Sequence, residues 1–157
     1  MQAAVNFIVM LIIMFVIGYL TMTVLIDRNI LFHFNKVYGS LYLVLWMGAA
    51  SALMEYVMPT HNAGAASAAT DRTWLMVSFA FFVAAVVMTF VIKQQWTIDE
   101  PQFLRSMIEH HEMAIVMGGR ILEKPNVTAD TQELARNIVT TQTAEIAQMY
   151  QTLKRIE

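Results

Sequence analysis

Two adjacent imidazoles among three thioethers, in the run Met107-Ile108-Glu109-His110-His111-Glu112-Met113-Ala114-Ile115-Val116-Met117, are the groups of this chain best suited to chemistry. Thioether and imidazole together suit Cu(I), while imidazole with carboxylate suits Cu(II) or Zn(II). At about 100° per residue, Phe103, Met107, His110, His111, Ala114, Met117, Gly118 and Ile121 share one broad helical face, which the periodicity predicts to be buried. Glu109, Glu112 and Arg120 fall elsewhere on that helix and read as a solvated face.

A second helical pattern follows, with Leu134, Ile138, Ile146, Leu153 and Ile156 as its apolar stripe. Gln142, Glu145 and Met149 lie within that stripe, where a buried carboxylate needs a partner. Counted from the break between the helices, His110 and Gln142 lie equally far along. An antiparallel hairpin would therefore place Glu145 opposite Met107 and Met149 near Phe103. Met107, His110, His111, Gln142, Glu145 and Met149 then converge on one layer, with copper as the first candidate ion and Cu(I) favoured. Met117 stands nearer the loop and could begin a second site with Met113, which projects to the rim as packing or as ligand. Glu145 could instead accept from a histidine and fix its tautomer. The alternative without an ion is a His–Glu–Gln hydrogen-bond network that sets helix register.

Neighbouring motifs fail. A zincin helix would need His at position 115, where Ile115 stands. The Glu-x-x-His spacing of di-iron bundles would need Glu where Met107 or Ile108 stands. The chain has no cysteine, which excludes disulfides, zinc knuckles and thiolate catalysis. With no evident nucleophile or cofactor motif, the expectation is a protein that is not an enzyme.

These residues are carried by a chain of 157 residues that is 57% hydrophobic and 14% charged, with a mean hydropathy of +0.52. Soluble domains carry about a quarter charged residues, so the composition points to a membrane protein. A net charge of −2 gives no reason to expect a nucleic-acid partner. Thirteen methionines are many, but Met also fills gaps and faces lipid, as Met10 and Met14 would. Apolar stretches over 3–25, 37–58 and 74–92 are long enough to cross a bilayer of about 30 Å hydrocarbon thickness. Trp74 and Trp96 bracket the third as interfacial anchors. The first stretch lacks a basic start and is not expected to be a cleaved signal peptide.

From position 97 the character becomes water-soluble. Thr97-Ile98-Asp99-Glu100 is a capping-box pattern with Pro101 in the first turn, predicting a helix over 99–123. Lys124-Pro125-Asn126-Val127 breaks it. Asp130-Thr131-Gln132-Glu133 offers a second box, predicting a helix over 130–156. The expected fold is all-α, with a membrane domain over 1–96 and a helical hairpin over 97–157. A lone hairpin makes a poor core below about 70 residues, so pairing of two hairpins into a four-helix bundle is expected, ahead of docking onto the chain's own spans.

At these residues the sequence resembles the family known as domain of unknown function 305, with its CopM-like copper-binding proteins. The resemblance covers about 98–156. It rests on Met-x-x-His-His-x-x-Ala-x-x-Met, here Met107, His110, His111, Ala114 and Met117, followed by Gln142, Glu145, Ile146 and Met149. It implies a ferritin-like bundle and copper bound through Met107, His110, His111, Met117, Glu145 and Met149. At position 109 this chain has Glu where the family often has Pro. Many members share the plan of three spans before one hairpin.

Within the spans Glu55 is the only acidic residue, and its nearness to a span end suggests that it reaches the interface. Met54, Met58 and His61 are a weaker metal-relay candidate. Arg28, Lys36 and Lys93 against Arg72 favour a cytoplasmic hairpin by the positive-inside rule, whereas the family's copper role favours the outer side. The expectation adopted is a bacterial cell-membrane protein with its hairpin on the periplasmic or extracellular side. It would bind copper for capture or buffering, with lipid, a second copy and a further membrane protein as its candidate partners.

Overall fold

Apolar sequence all round, without a charged residue, makes the first helix, α1 (Gln2–Thr21). It is followed by α2 (Phe34–Val57), α3 (Ala68–Gln94), α4 (Glu100–Leu122) and α5 (Ala129–Ile156). The computed structural model describes residues 2–24, 31–58 and 68–157, and among them no strand occurs. Leu25, Asp27, Arg28 and His61 lie outside the described residues.

Three helices are long and apolar enough to cross a membrane, over Ala4–Thr21, Phe34–Val57 and Arg72–Gln94. The second and third begin earlier than the stretches at 37–58 and 74–92 suggested, at Phe34 and Ala68. Small residues before Trp74 read as loop, yet alanine is also the best helix former.

The chain divides into two compact units: Met1–Leu20 with Val37–Trp96, and Thr21–Lys36 with Thr97–Glu157. In the first unit small side chains let helices approach closely, with Ala52 and Ala85 fully buried. Ser78 donates its hydroxyl to the Ala49 carbonyl at 2.8 Å. Phe7 meets Trp74 and Phe81 edge-on at centroid distances of 5.4 and 5.8 Å. Gly48 leaves room for the Phe81 ring, which an added Cβ would meet at 2.5 Å. Ile8, Ile12, Phe79 and Phe90 face outward, as lipid contact requires.

In the second unit α4 and α5 are amphipathic and pack along one another. Asp99 caps α4 by accepting from the Gln102 amide at 3.0 Å, with Pro101 in the first turn where its missing N–H is harmless. Asn126 takes a left-handed φ of 63° in the turn, which asparagine tolerates. Thr128, rather than Asp130, caps α5, accepting from the Thr131 amide. Asp130 instead lies in the first turn and Lys154 and Arg155 in the last, complementing the helix dipole at both ends. Leu104, Ile108, Ala135 and Leu153 are buried apolar residues of this unit. Gly118 permits close approach, since a Cβ there would lie 3.0 Å from Val139 Cγ2. Arg105 pairs with Glu157, tying the open end of the hairpin.

The segment Leu31–Lys36 lies against α4 as a strap. The Phe34 amide donates to Gln102 Oε1 at 2.9 Å and the Asn35 side-chain amide to Ser106 Oγ at 3.1 Å.

Candidate metal centre on the helical hairpin

His111 joins the two helices of the hairpin. Its Nδ1 lies 2.7 Å from the Met107 carbonyl, one turn back on α4, and its Nε2 lies 2.8 Å from Glu145 Oε2 on α5. An Nδ1–H donated to the carbonyl leaves Nε2 facing the carboxylate, the tautomer that an Nε2-bound metal requires. Glu145 is exposed, so its second oxygen remains open to solvent or to an ion.

The hairpin thus joins two of the expected ligands, His111 and Glu145, and disposes the others differently. Glu145 was expected opposite Met107, and it bonds instead to His111, one turn further along α4. Helical side chains lean toward their own N-terminus, so in an antiparallel pair the two lean toward each other and meet across a turn. His110 and Met117 are exposed, whereas Met107, Met113, Gln142 and Met149 are half-buried. Met54 and Met58 are also exposed, on α2 in the first unit. Among the described residues no three or more His, Asp or Glu come close enough to hold one ion. The arrangement present is one oriented imidazole beside one carboxylate.

Two expectations are corrected. Of the α4 face expected to be buried, Phe103, His110 and Met117 are exposed, Met107, His111, Ala114 and Ile121 are half-buried, and only Gly118 is buried. α5 covers a single side of α4, whereas the apolar stripe is broader than one helix can cover. Second, Glu109 and Glu112 are not a solvated face: Glu109 is 3% exposed and Glu112 is buried. Arg120 is exposed as expected and pairs with Glu123.

Glu109 is enclosed by the strap. Its Oε1 accepts from the Leu31 amide at 2.6 Å and from Lys36 Nζ at 2.7 Å, and its Oε2 lies 2.9 Å from His33 Nε2. Lys36 also donates from Nζ to the Leu31 carbonyl, and its own amide donates to His33 Nδ1 at 3.3 Å. That bond makes Nδ1 the acceptor and Nε2 the donor to Glu109. Burial pushes the Glu109 carboxyl up. The hydrogen bonds from His33, Lys36 and Leu31, with the Lys36 charge, outweigh this and hold it below the usual carboxylate range. Beside this cluster the Tyr150 hydroxyl is pushed up by burial and by the charges of Glu112 and Glu109.

No solved structure matches this chain. Uncharacterized protein L153 of Acanthamoeba polyphaga mimivirus is 32% identical over 145 residues, spanning 89% of this chain and 86% of the relative. A match of that length cannot fit within the hairpin, so the likeness extends to the apolar helices. The family model described as domain of unknown function (DUF305) matches residues 91–153, from the end of α3 through most of α5. The chain therefore belongs to the DUF305 family.

Proposed function

We propose that this protein is a membrane-anchored copper-binding protein that captures or buffers the ion through the Met/His face of α4 and the facing edge of α5. The observation that carries the reading is the orientation of His111, held at Nδ1 by the Met107 carbonyl with Nε2 directed at Glu145. Met107, His110, Met117 and Met149 supply further soft and borderline donors on the same hairpin, with Gln142 and Met113 in support. The finer reading places three spans in the bilayer, pairs two hairpins into a ferritin-like four-helix bundle, and directs the hairpin to the periplasmic or extracellular side. A further membrane protein would receive or deliver the ion, and no catalytic step is assigned.

Titration of the full-length chain in detergent with Cu(I), against a chromophoric chelator, tests this. His110→Ala with His111→Ala is expected to abolish binding, and undiminished binding in that double variant removes the proposal. A second reading, a metal-free assembly subunit, is favoured by the closed hydrogen bonding of the Glu109 cluster. On that reading chelators leave oligomeric state and thermal stability unchanged.

A further inference from the structure

Three directions around α4 have distinct neighbours. Leu104, Ile108 and Gly118 are buried, and with His111 they mark the side toward α5. Gln102, Ser106 and Glu109 meet the strap. The third direction carries Phe103, Met107, His110, Ala114, Met117 and Ile121, at alternating spacings of four and three. This is the repeat with which one helix seats against another in a coiled-coil seam. At about 100° per residue its centre lies roughly a right angle from the α5 side, the corner geometry of a four-helix bundle. Phe103 is 51% exposed and Met117 62%.

α5 carries a matching open edge. Leu134, 60% exposed, Ile138 and Glu145 continue there at spacings of four and seven. Near the loop Met117 and Ile121 join Leu134 and Ile138 in lining a groove of about 630 Å³. Midway along, the same open face carries His110 with Glu145 at its edge. Ionisable groups at mid-height speak against lipid as the cover. The order on α4, apolar at Phe103 and Met107, ionisable at His110 and apolar again from Ala114 to Ile121, reads alike in both directions, so a second copy packed about a two-fold axis is its complement.

We propose that a second copy of this chain covers this face and completes the metal site, so that each ion is held by His111 and Glu145 of one chain and His110 of the other. This deepens the copper reading above and rests on it. A two-fold pair is self-complementary: what one copy presents to the other, it receives in return. With the axis at the His110 level, both chains contribute donors to one layer. That accounts for an exposed His110 beside a His111 already oriented. Copper binding and pairing of the chains are then linked, each strengthening the other.

The experiment uses the full-length chain in detergent, with sedimentation read alongside titration with Cu(I) and with Cu(II). Phe103→Glu with Leu134→Glu places charge on the open face at two exposed positions and leaves every ligand in place; circular dichroism verifies the helices. The expected result is a monomer whose copper affinity falls about tenfold or more. A second arm mixes two variants that should each fail alone, His110→Ala and His111→Ala/Glu145→Ala. Their mixed dimer retains one whole site, so mixing should restore up to half of the wild-type copper. Full affinity in the monomeric variant, or no recovery on mixing, overturns the shared site and leaves copper capture standing. A wild-type dimer that takes up no copper overturns both.

Discussion

Glu109 illustrates how a single side chain departs from what helical phase alone suggests. Phase put it away from the apolar face, and in the fold it is closed off by His33 and Lys36 from a segment more than seventy positions earlier. No local pattern encodes a partner so distant, which is why this cluster was not legible in the sequence. The His111–Glu145 contact was legible in kind, because both residues interrupt apolar stripes that must face each other. Removing one member of a buried ion pair leaves the other charged and unpaired, at a cost of about 3–5 kcal/mol. Glu109→Ala should therefore lower unfolding stability by about that amount in the full chain, and Lys36→Met with Glu109→Gln by less. The Glu109 pKa is lowered on folding, so its contribution is complete above about 4.5 and is lost as pH falls through the lower folded value. Chemical unfolding of wild type and Glu109→Gln should show a gap at pH 7 that narrows in strong acid.

Elements were read more surely than contacts. Capping chemistry and the proline break fixed both hairpin helices to within a residue or so at each end, with Thr128 displacing Asp130 as the second cap. The repeat on α4 disclosed a face in need of cover but not what covers it, since periodicity reports phase and carries no partner. Two adjacent glycines test the packing of the hairpin. A Cβ at Gly118 would meet Val139 at 3.0 Å and the Ala135 carbonyl at 3.4 Å, whereas one at Gly119 meets nothing within 4 Å. Gly118→Ala should destabilise by about 1–3 kcal/mol through overpacking. Gly119→Ala should stabilise by about 0.5–1 kcal/mol through lost unfolded-state freedom. Thermal melts of the two variants, compared with wild type, check both signs.

For the whole molecule, composition and hydropathy sufficed to read three apolar helices followed by a hairpin, and the structure forms all five. Orientation was contested in the sequence, with Arg28, Lys36 and Lys93 set against Arg72. Lys36 pairs with Glu109 in the fold. The chain has no native cysteine, so a single cysteine replacing Glu157 gives an unambiguous label. For an outward hairpin it should react with a membrane-impermeant maleimide on intact cells. Reaction only after lysis would assign the hairpin to the cytoplasm.

The strap has a consequence for how this chain relates to its family. The family match begins at residue 91, so His33 and Lys36 lie outside the matched segment while Glu109 lies inside it. The ion cluster thus joins the segment matched by the family model to residues outside it. Grafting residues 91–153 alone onto another anchor would transplant a buried acid without its counterions. A working transplant has to carry 31–36 with it.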